Sequence, residues 1–414
     1  MAPLFVPLAL VLGASGCMSD DGASAQGEAA QDGGSGFDGG PGGGAADDGN
    51  ADGGMGDDGD GEGGGPSGDG GDGGADAPVP DDVSPPDEEP PEECIADEDV
   101  TLFLSPDDSN STSSPVQARE AVLDGFSGIT SIPIRTWEFL NYYAFDYAPP
   151  TADVGLALHT DLVRLAGGED GEYVLQIGVA SPRVAADERD PIALTLVLDT
   201  SGSMQGHAMD MLKESCRVIA ASLHEGDKVS MVTWSASNST VLGGYSVTGA
   251  NDETVLGKCN ELEAGGGTDL HGGLVSGYAL AEETFQEGIT NRIVLISDGG
   301  ANAGVTDVEI IGEHAGGNDA DGIYMVGVGV GDATTYNDDL MDVVTDAGKG
   351  ASVFINDAAE AQKIFGDGFV RTMGVAARDV QVRLDMPPGF EVVRFSGEEI
   401  SEDPAEVEPQ HLAP

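Results

Sequence analysis

The stretch IALTLVLDTSGS, residues 192–203, decides the fold of this chain. Its first seven residues form a continuous apolar run, which is typical of a parallel β-strand buried on both faces. The polar residues that follow begin at Asp199, where such a strand ends. Because ligands of open α/β sheets bind outside the carboxyl ends of the strands, this boundary is the first place to look for a functional site.

Strand and helix patterns alternate from this stretch to about residue 374. Continuous apolar runs predict buried strands at 192–198, 229–234, 292–297, 323–330 and 351–356. Apolar residues at helical spacing predict helices at 207–226, 252–264, 270–288, 308–317, 337–348 and 358–374. Such alternation predicts an α/β domain, Rossmann-like, with a doubly wound and mostly parallel sheet covered by helices on both faces.

Short oxygen-bearing side chains occupy three loops that this topology brings to one edge of the sheet. The loops read DTSGS, GGGTDL and SDGGAN, and glycines flank the polar residues so that the backbone can approach closely. Hydroxyls and carboxylates suit a hard cation such as Mg²⁺, which takes six oxygen ligands. The candidate metal ligands are Asp199, Ser201, Ser203, Thr268 and Asp298.

Each of these residues also has a purely structural interpretation. Serine and threonine cap helices, and aspartate makes Asx turns. Ser201 and Ser203 precede one predicted helix, and Thr268 precedes another. Asp269, beside Thr268, is expected at least to support its loop. The sequence therefore predicts the metal site from all five residues together, not from any one of them.

The three loop motifs resemble, in order and spacing, the metal-ion-dependent adhesion site of the von Willebrand factor type A domain, over about residues 188–374. The resemblance implies that Ser201, Ser203 and Thr268 coordinate Mg²⁺ directly, with Mn²⁺ or Ca²⁺ as alternatives. It implies that Asp199 and Asp298 act largely through bound waters. A cation held by neutral hydroxyls then attracts a carboxylate supplied by a protein ligand.

The flanks of the domain do not follow the alternating pattern. Residues 95–187 predict a mixed module, and 375–414 predict a β segment containing two strands and a Pro-Pro-Gly turn. The run WEFLNYYAFDYAPP, followed by strands and the metal-site domain, resembles the bacterial YfbK-like lipoproteins. We expect strands from both flanks to pair into a small β-rich module. The predicted elements of 95–187 are strands at 100–105, 154–165 and 172–181 and helices at 115–125 and 133–147.

The N-terminal sequence predicts that the protein is targeted to a membrane. Residues 1–17 contain an apolar run too short to span a bilayer, then Ala-Ser-Gly and Cys17, which resembles a bacterial lipoprotein signal peptide with Cys17 as the lipidated residue. The alternative is a buried apolar arm with an incidental cysteine. Residues 18–94 are rich in Gly, Asp and Pro, which predicts a disordered acidic tether rather than a calcium-binding repeat. The expected location is the cell envelope.

Composition excludes several partners. The chain of 414 residues has 16 Lys+Arg against 75 Asp+Glu, a net charge of −59, and no basic residue precedes Arg119. Nucleic acids and anionic lipid surfaces are therefore not expected partners. Of the remaining cysteines, Cys216 and Cys259 are expected to pack as small buried side chains, with a disulfide between them as the alternative, and Cys94 has no evident partner.

Two other classes of function compete with ligand capture. A hydrolase would use Ser201 or Ser203 as a nucleophile, which needs an adjacent base, or a metal-activated water, which needs a dry pocket that the sequence does not specify. The three loops contain no histidine, and His207 and His271 lie at predicted helix starts. A scaffold that organises an extracytoplasmic complex is the other alternative. We expect a binding protein and not an enzyme.

Overall fold

The computed structural model describes residues 5–14, 99–105, 111–125, 129–143, 145, 147–150, 155–168, 171–300 and 322–412. The predicted tether at 18–94, with Cys17 just before it, and the predicted helix at 308–317 lie outside the described residues.

The strands are, in chain order, β1 (Phe5–Ala14), β2 (Val100–Ser105), β3 (Ala157–Arg164), β4 (Glu172–Ala180), β5 (Ile192–Asp199), β6 (Lys228–Trp234), β7 (Asn238–Ser246), β8 (Thr290–Ser297), β9 (Ile323–Val330), β10 (Ser352–Ile355), β11 (Ala377–Val380), β12 (Val382–Met386), β13 (Phe390–Phe395), β14 (Glu399–Ser401) and β15 (Gln410–Leu412). The helices are α1 (Ser113–Leu123), α2 (Thr136–Tyr142), α3 (His207–Ser222), α4 (Glu253–Asn260), α5 (Leu270–Glu283), α6 (Asp338–Ala347), α7 (Ala358–Ala361) and α8 (Phe369–Met373). None of the described helices is long and apolar enough to cross a membrane.

A six-stranded sheet forms the centre of the α/β domain, in the order β10-β9-β8-β5-β6-β7. All neighbours are parallel except β6 and β7. Every residue of β5 and β9 is buried, as the continuous apolar runs predict. The doubly wound, mostly parallel sheet is thus confirmed. The antiparallel edge strand β7 was not predicted, because its sequence, NSTVLGGYS, contains Gly-Gly and no continuous apolar run.

Two apolar layers cover the faces of this sheet. One layer packs α3, α4 and the C-terminal helices α7 and α8 against the sheet, and its fully buried members include Leu196 and Ile219. The other layer contains α5 and α6, with Trp234 and Tyr278 among its largest buried side chains. Apolar side chains therefore cover both faces of the sheet, which leaves the loops at the strand ends as the expected place for a ligand.

Helix α1 of the N-terminal flank packs on the α/β domain, whereas α2 contacts both α1 and the flanking strand β1. Val116 and Ala121 of α1 belong to the same apolar layer as α5 and α6. The backbone N–H of Thr112 donates to the carbonyl oxygen of Ser352 at 2.8 Å, so this flank also covers the β10 edge of the sheet. The region 95–187, predicted to be one mixed module, is therefore divided between two parts of the molecule.

The flanking strands pair across the chain, as the sequence predicts. β2 pairs antiparallel with β12 and β14, and the order β13-β1-β4-β3 forms a second sheet. The two sheets pack face to face around Leu102, Leu104, Ile177 and Met386. We call this pair of sheets the β module. A short third sheet pairs β11 with β15.

Residues of the predicted signal peptide occupy a strand position in the β module. β1 lies between β4 and β13 and pairs antiparallel with both. The sequence predicts a signal peptide here, with a buried apolar arm as the alternative, and the pairing of these residues as a strand was not predicted. Cleavage and lipidation at Cys17 remain predictions.

Two further expectations differ from the structure. Cys216 and Cys259 form a disulfide between α3 and α4, with their Cα atoms 6.0 Å apart, so the preference for two unpaired cysteines was wrong. The predicted helix at 358–374 is interrupted by a π-helical turn, Gln362–Asp367. Gly366 and Gly368 lower helix propensity at this point. The helix predicted at 133–147 is limited to α2.

Candidate metal centre

The first loop of the site begins where the fully buried strand β5 ends. Asp199 is its last residue, and the Asp199 carboxylate accepts the backbone N–H of Ser201 at 2.8 Å. The hydroxyl oxygens of Ser201 and Ser203 lie 3.0 Å apart. Asp199 and Ser201 are both fully buried, whereas Ser203 is exposed. The loop therefore holds two hydroxyls together above a buried carboxylate.

The third loop follows β8, which is the neighbour of β5 in the sheet. From β5 the chain continues to β6 on one side of the sheet, and from β8 it continues to β9 on the other side. The boundary between β5 and β8 is therefore the topological switch point, where open α/β sheets bind ligands. The Ser297 hydroxyl donates to the second oxygen of Asp199 at 2.7 Å. This bond joins the ends of the two strands beneath the site.

Glycines bring the third loop against the first. The backbone N–H of Gly300 donates to Asp298 Oδ1 at 2.9 Å. A Cβ atom added at Gly300 would lie 2.9 Å from Ser203 Oγ, so only glycine permits this approach. Gly299 has a φ of +71°, and a Cβ there would lie 2.8 Å from the backbone nitrogen of Asn337. The structure therefore brings Asp199, Ser201, Ser203 and Asp298 together.

The second loop is hydrogen-bonded to the first. The backbone N–H of Gly202 donates to the carbonyl oxygen of Gly266 at 3.3 Å, and that of Gly265 donates to the carbonyl oxygen of Thr200 at 2.8 Å. Thr268 is exposed on this loop, two residues beyond the contact at Gly266. Asp269 caps α5 by accepting the N–H of Gly272 at 3.0 Å. Asp269 thus supports the loop.

The donor set fits a hard octahedral cation. Two adjacent ligands of a cation at about 2.1 Å and a right angle lie about 3.0 Å apart. The Ser201 and Ser203 hydroxyls have this separation. Among the described residues, no three His, Cys, Asp or Glu side chains cluster in a metal-binding arrangement. The predicted set, with two carboxylates and three hydroxyls, is of a different kind.

Burial governs the charge of Asp199. Removal from water raises the pKa of Asp199 to about 6, although the hydrogen bonds from Ser297 and Ser201 lower it; the negative charge of Asp298 raises it further. A divalent cation nearby favours the ionised carboxylate and acts in the opposite direction. A cation bound at this site would therefore offset the free-energy cost of ionising the buried Asp199 carboxylate.

Sequence reasoning missed Ser297, which orients Asp199. The available signal was a polar residue at the end of the otherwise apolar run RIVLIS. The histidines considered as bases lie elsewhere: His207 Nε2 is 2.9 Å from the carbonyl oxygen of Asn356, and His271 lies in α5.

Three oxygen-bearing loops at the switch point of a doubly wound sheet define a class of domain. The family model described as the von Willebrand factor type A domain matches residues 194–301, and this part of the chain is such a domain. Two solved structures show low similarity to this chain. One is a von Willebrand factor type A protein from Catenulispora acidiphila, with 18% identity and a TM-score of 0.40; the match covers 54% of this chain and 51% of that one. The other is manganese-loaded TRAP from Plasmodium vivax, with 14% identity and a TM-score of 0.36; the match covers 56% of this chain and 81% of that one.

Over a longer range the chain is similar to YfbK of Escherichia coli (strain K12), at 25% identity over 265 residues, which are 62% of this chain and 45% of that protein. It is also similar to sll0103 of Synechocystis sp., at 25% identity over 223 residues, 54% of this chain and 51% of that protein. The expected resemblance to YfbK-like proteins is thus confirmed. The chain spans about half the length of the curated relatives it matches.

Proposed function

We propose that this protein binds a divalent cation, Mg²⁺ or Mn²⁺, at the three loops and captures a protein ligand through an acidic side chain that completes the coordination of the metal. The proposed ligands are Asp199, Ser201, Ser203, Thr268 and Asp298. The observation that carries the proposal is the 3.0 Å pair of hydroxyls at Ser201 and Ser203, held over a buried carboxylate.

The mechanism of capture is electrostatic. The three hydroxyls neutralise none of the charge of a bound cation, and Asp199 and Asp298, acting largely through bound waters, would offset it only in part, so the cation remains attractive to a carboxylate. The chain itself is highly anionic, which disfavours approach of an acidic partner at long range. Capture should therefore depend on the cation at short range. The association rate should rise with ionic strength, because salt screens the long-range repulsion between the anionic chain and an acidic partner.

We further propose that the protein is held at the cell envelope by lipid on Cys17. A flexible chain of the length of residues 18–94 spans about 50 Å on average, and repulsion between its carboxylates extends it. Detergent partitioning tests this part: the wild type should enter the detergent phase and Cys17→Ala should stay in the aqueous phase. Equal partitioning would contradict lipidation.

Metal binding is tested by calorimetric titration of the full chain with Mn²⁺. The acidic residues of the N-terminal region bind cations weakly, so the informative quantity is the difference between variants. Ser203→Ala should lower the affinity of the strongest site at least tenfold, because one of the paired hydroxyls is lost. The matched control is Ser239→Ala, an exposed serine on β7, which should change nothing. Identical isotherms for the three proteins would contradict the site.

Ligand capture is tested with envelope proteins retained by the immobilised chain in Mn²⁺ or in chelator. A specific ligand should be retained only in Mn²⁺, lost with Ser203→Ala, and lost again when its own acidic residue is changed to an amide. Equal retention of the ligand in Mn²⁺ and in chelator would contradict the mechanism. We assign the site binding and no catalysis; the contact of His207 with Asn356 supports this assignment.

A further inference from the structure

The strand position occupied by β1 is a slot with two different walls. β4 pairs with β1 at nine successive positions, from Phe5 opposite Ala180 to Gly13 opposite Glu172. β13 pairs at five positions, from Leu10 opposite Phe395 to Ala14 opposite Phe390. Both walls run antiparallel to β1 and therefore parallel to each other, two strand spacings or about 9.5 Å apart. We call the space between β4 and β13 the strand slot.

The walls of the strand slot belong to an apolar layer. Leu175 and Ile177 of β4 and Val392 of β13 pack into the core that the β module shares with β2. Beside β13, a cleft of about 550 Å³ that is largely open to solvent is lined by apolar residues such as Leu102 and Phe390 and by charged residues such as Glu391 and Arg394. The layer next to the slot is therefore apolar, with a partly polar cleft beside β13.

The resident strand fits the slot imperfectly. Pro7 lies opposite Gly178, at a position where β13 does not pair with β1, and it has no backbone N–H. The register against β13 slips between Val11 and Leu12. A strand with an N–H at every position and a continuous register would make more ladder bonds with the same walls. The geometry of β1 is that of an occupant that can be replaced.

Removal of β1 would leave both walls unpaired. The slot would then present the inner edges of β4 and β13, each with free N–H and C=O groups, and such edges pair readily with another strand. β1 itself gives the chemistry of a suitable occupant: FVPLALVLGA is ten residues long and carries no charged side chain.

We propose that the strand slot is a strand-acceptor site. Residues 5–14 fill it in the unprocessed chain, and after cleavage before Cys17 it accepts an extended, uncharged, apolar strand of about nine residues from a partner protein, antiparallel to β4 and β13. This inference rests on the proposed function only in requiring cleavage before Cys17. It is independent of the metal, and it gives the protein a second interaction surface on the β module.

The test uses the full chain with a specific protease site inserted between Gly16 and Cys17 and with Cys17→Ser to prevent lipidation. The probe is a fluorescent peptide of residues 5–14 with lysines appended for solubility, and its anisotropy reports uptake. The uncut chain should take up none, and the cut chain should exchange its own strand for the peptide. A peptide with Pro7→Leu should bind at least as tightly as the unmodified one, because it gains a backbone N–H and loses none.

The matched control peptide carries Leu10→Pro and Leu12→Pro, at positions where β1 pairs with both walls, and should bind at least tenfold more weakly. If the cut chain precipitates, the same two substitutions in the uncut chain open the slot, and that variant should bind the unmodified peptide. No uptake by either protein, or equal binding of the proline peptide, would overturn the proposal.

Two further outcomes would also overturn it. Dimerisation of the cut chain without uptake of peptide would assign the slot to a second copy. A mature protein whose N-terminal sequence begins before Phe5 would make β1 a permanent strand. A Mn²⁺ titration of the same cut chain separates this inference from the metal site, because loss of metal binding with Ser203→Ala should leave peptide uptake unchanged.

Discussion

The α/β domain and the β module bury their strands to very different extents. All eight residues of β5 are buried, whereas β3, at the edge of the β module, has no fully buried residue. Helices cover both faces of the first sheet, whereas the sheets of the β module pack against each other and the opposite side of the larger one is covered in part, by Tyr147 beside Gly178 and by α2 beside β1. The domain is assembled from strands and helices that follow one another in sequence, whereas the module is assembled from strands near both ends of the chain. The fully buried strands of the domain carry the proposed metal site, and the less buried module carries the proposed strand slot.

The largest expected effect separates these two kinds of strand. Leu196, in β5, is fully buried, and Leu162, in β3, is 50% exposed. Leu196→Ala should lower the free energy of unfolding by about 2–5 kcal/mol, since it removes apolar contacts and leaves a cavity. Leu162→Ala should lower it by less than about 1 kcal/mol. Denaturant unfolding monitored by circular dichroism measures both. Equal losses would mean that the module is as tightly packed as the domain.

The disulfide belongs to the closed domain and should contribute almost as much. It closes a loop with a sequence separation of 43 residues, for which the chain-entropy model gives about 4 kcal/mol. Replacing Cys216 and Cys259 together by alanine should lower the free energy of unfolding by up to that amount. Dithiothreitol should destabilise the wild type and leave the double variant unchanged. A wild type insensitive to reductant would contradict the bridge.

A buried charge cluster joins the N-terminal flank to the domain. Arg135, just before α2, lies 2.5 Å from Asp338 and 3.0 Å from Asp342, both on α6, and 3.2 Å from Glu138. Glu138 and Asp338 are almost inaccessible. Burial by itself would lower the pKa of Arg135, but the three carboxylates raise it. The cluster therefore depends on this one cation.

Arg135→Ala should lower the free energy of unfolding by about 3 kcal/mol, because it leaves buried carboxylates without a counter-ion. The loss is at the lower end of the range for such clusters, since burial raises the pKa of Glu138 to about 8 and lets it take up a proton. The control is Arg217→Ala, which breaks the exposed pair with Glu214 and should cost less than about 1 kcal/mol. Similar losses for the two variants would show that the flank is not docked through Arg135.

The contrast between the two regions also explains how much the sequence could predict. Continuous apolar runs located every parallel strand of the domain, and the polar residues that end β5 and follow β8 located four of the proposed ligands, because these signals are local. The docking of α1 on β10 and the pairing of β2 with β12 depend on contacts between distant segments. The Cys216–Cys259 bridge has no local signal either, since both cysteines lie on apolar helix faces that fit a packed thiol equally well. Pattern alone could not choose between the two outcomes.

The smallest expected effect compares two glutamates, one on the docked flank and one on the partly exposed side of α3 in the domain. Burial of Glu120, on α1, raises its pKa above the usual 4.5; the backbone of Ala333 lowers it in part, and Asp332 raises it. The hydrogen bond from Arg217 lowers the pKa of Glu214, on α3, against a smaller opposing effect of burial. The folded state thus holds the Glu120 proton more tightly than the unfolded state does, and the Glu214 proton less tightly.

These shifts predict opposite dependences on pH. The contribution of Glu120 to the free energy of unfolding should fall as the pH rises above about 4.5, because the unfolded chain releases its proton first. The contribution of Glu214 should be present above about 4.5 and should be lost as the pH falls through its lowered pKa. Thermal unfolding of the wild type, Glu120→Gln and Glu214→Gln across this window measures both differences. If the two differences had the same sign, Glu120 would be solvated, and α1 would not be docked against the domain at this residue.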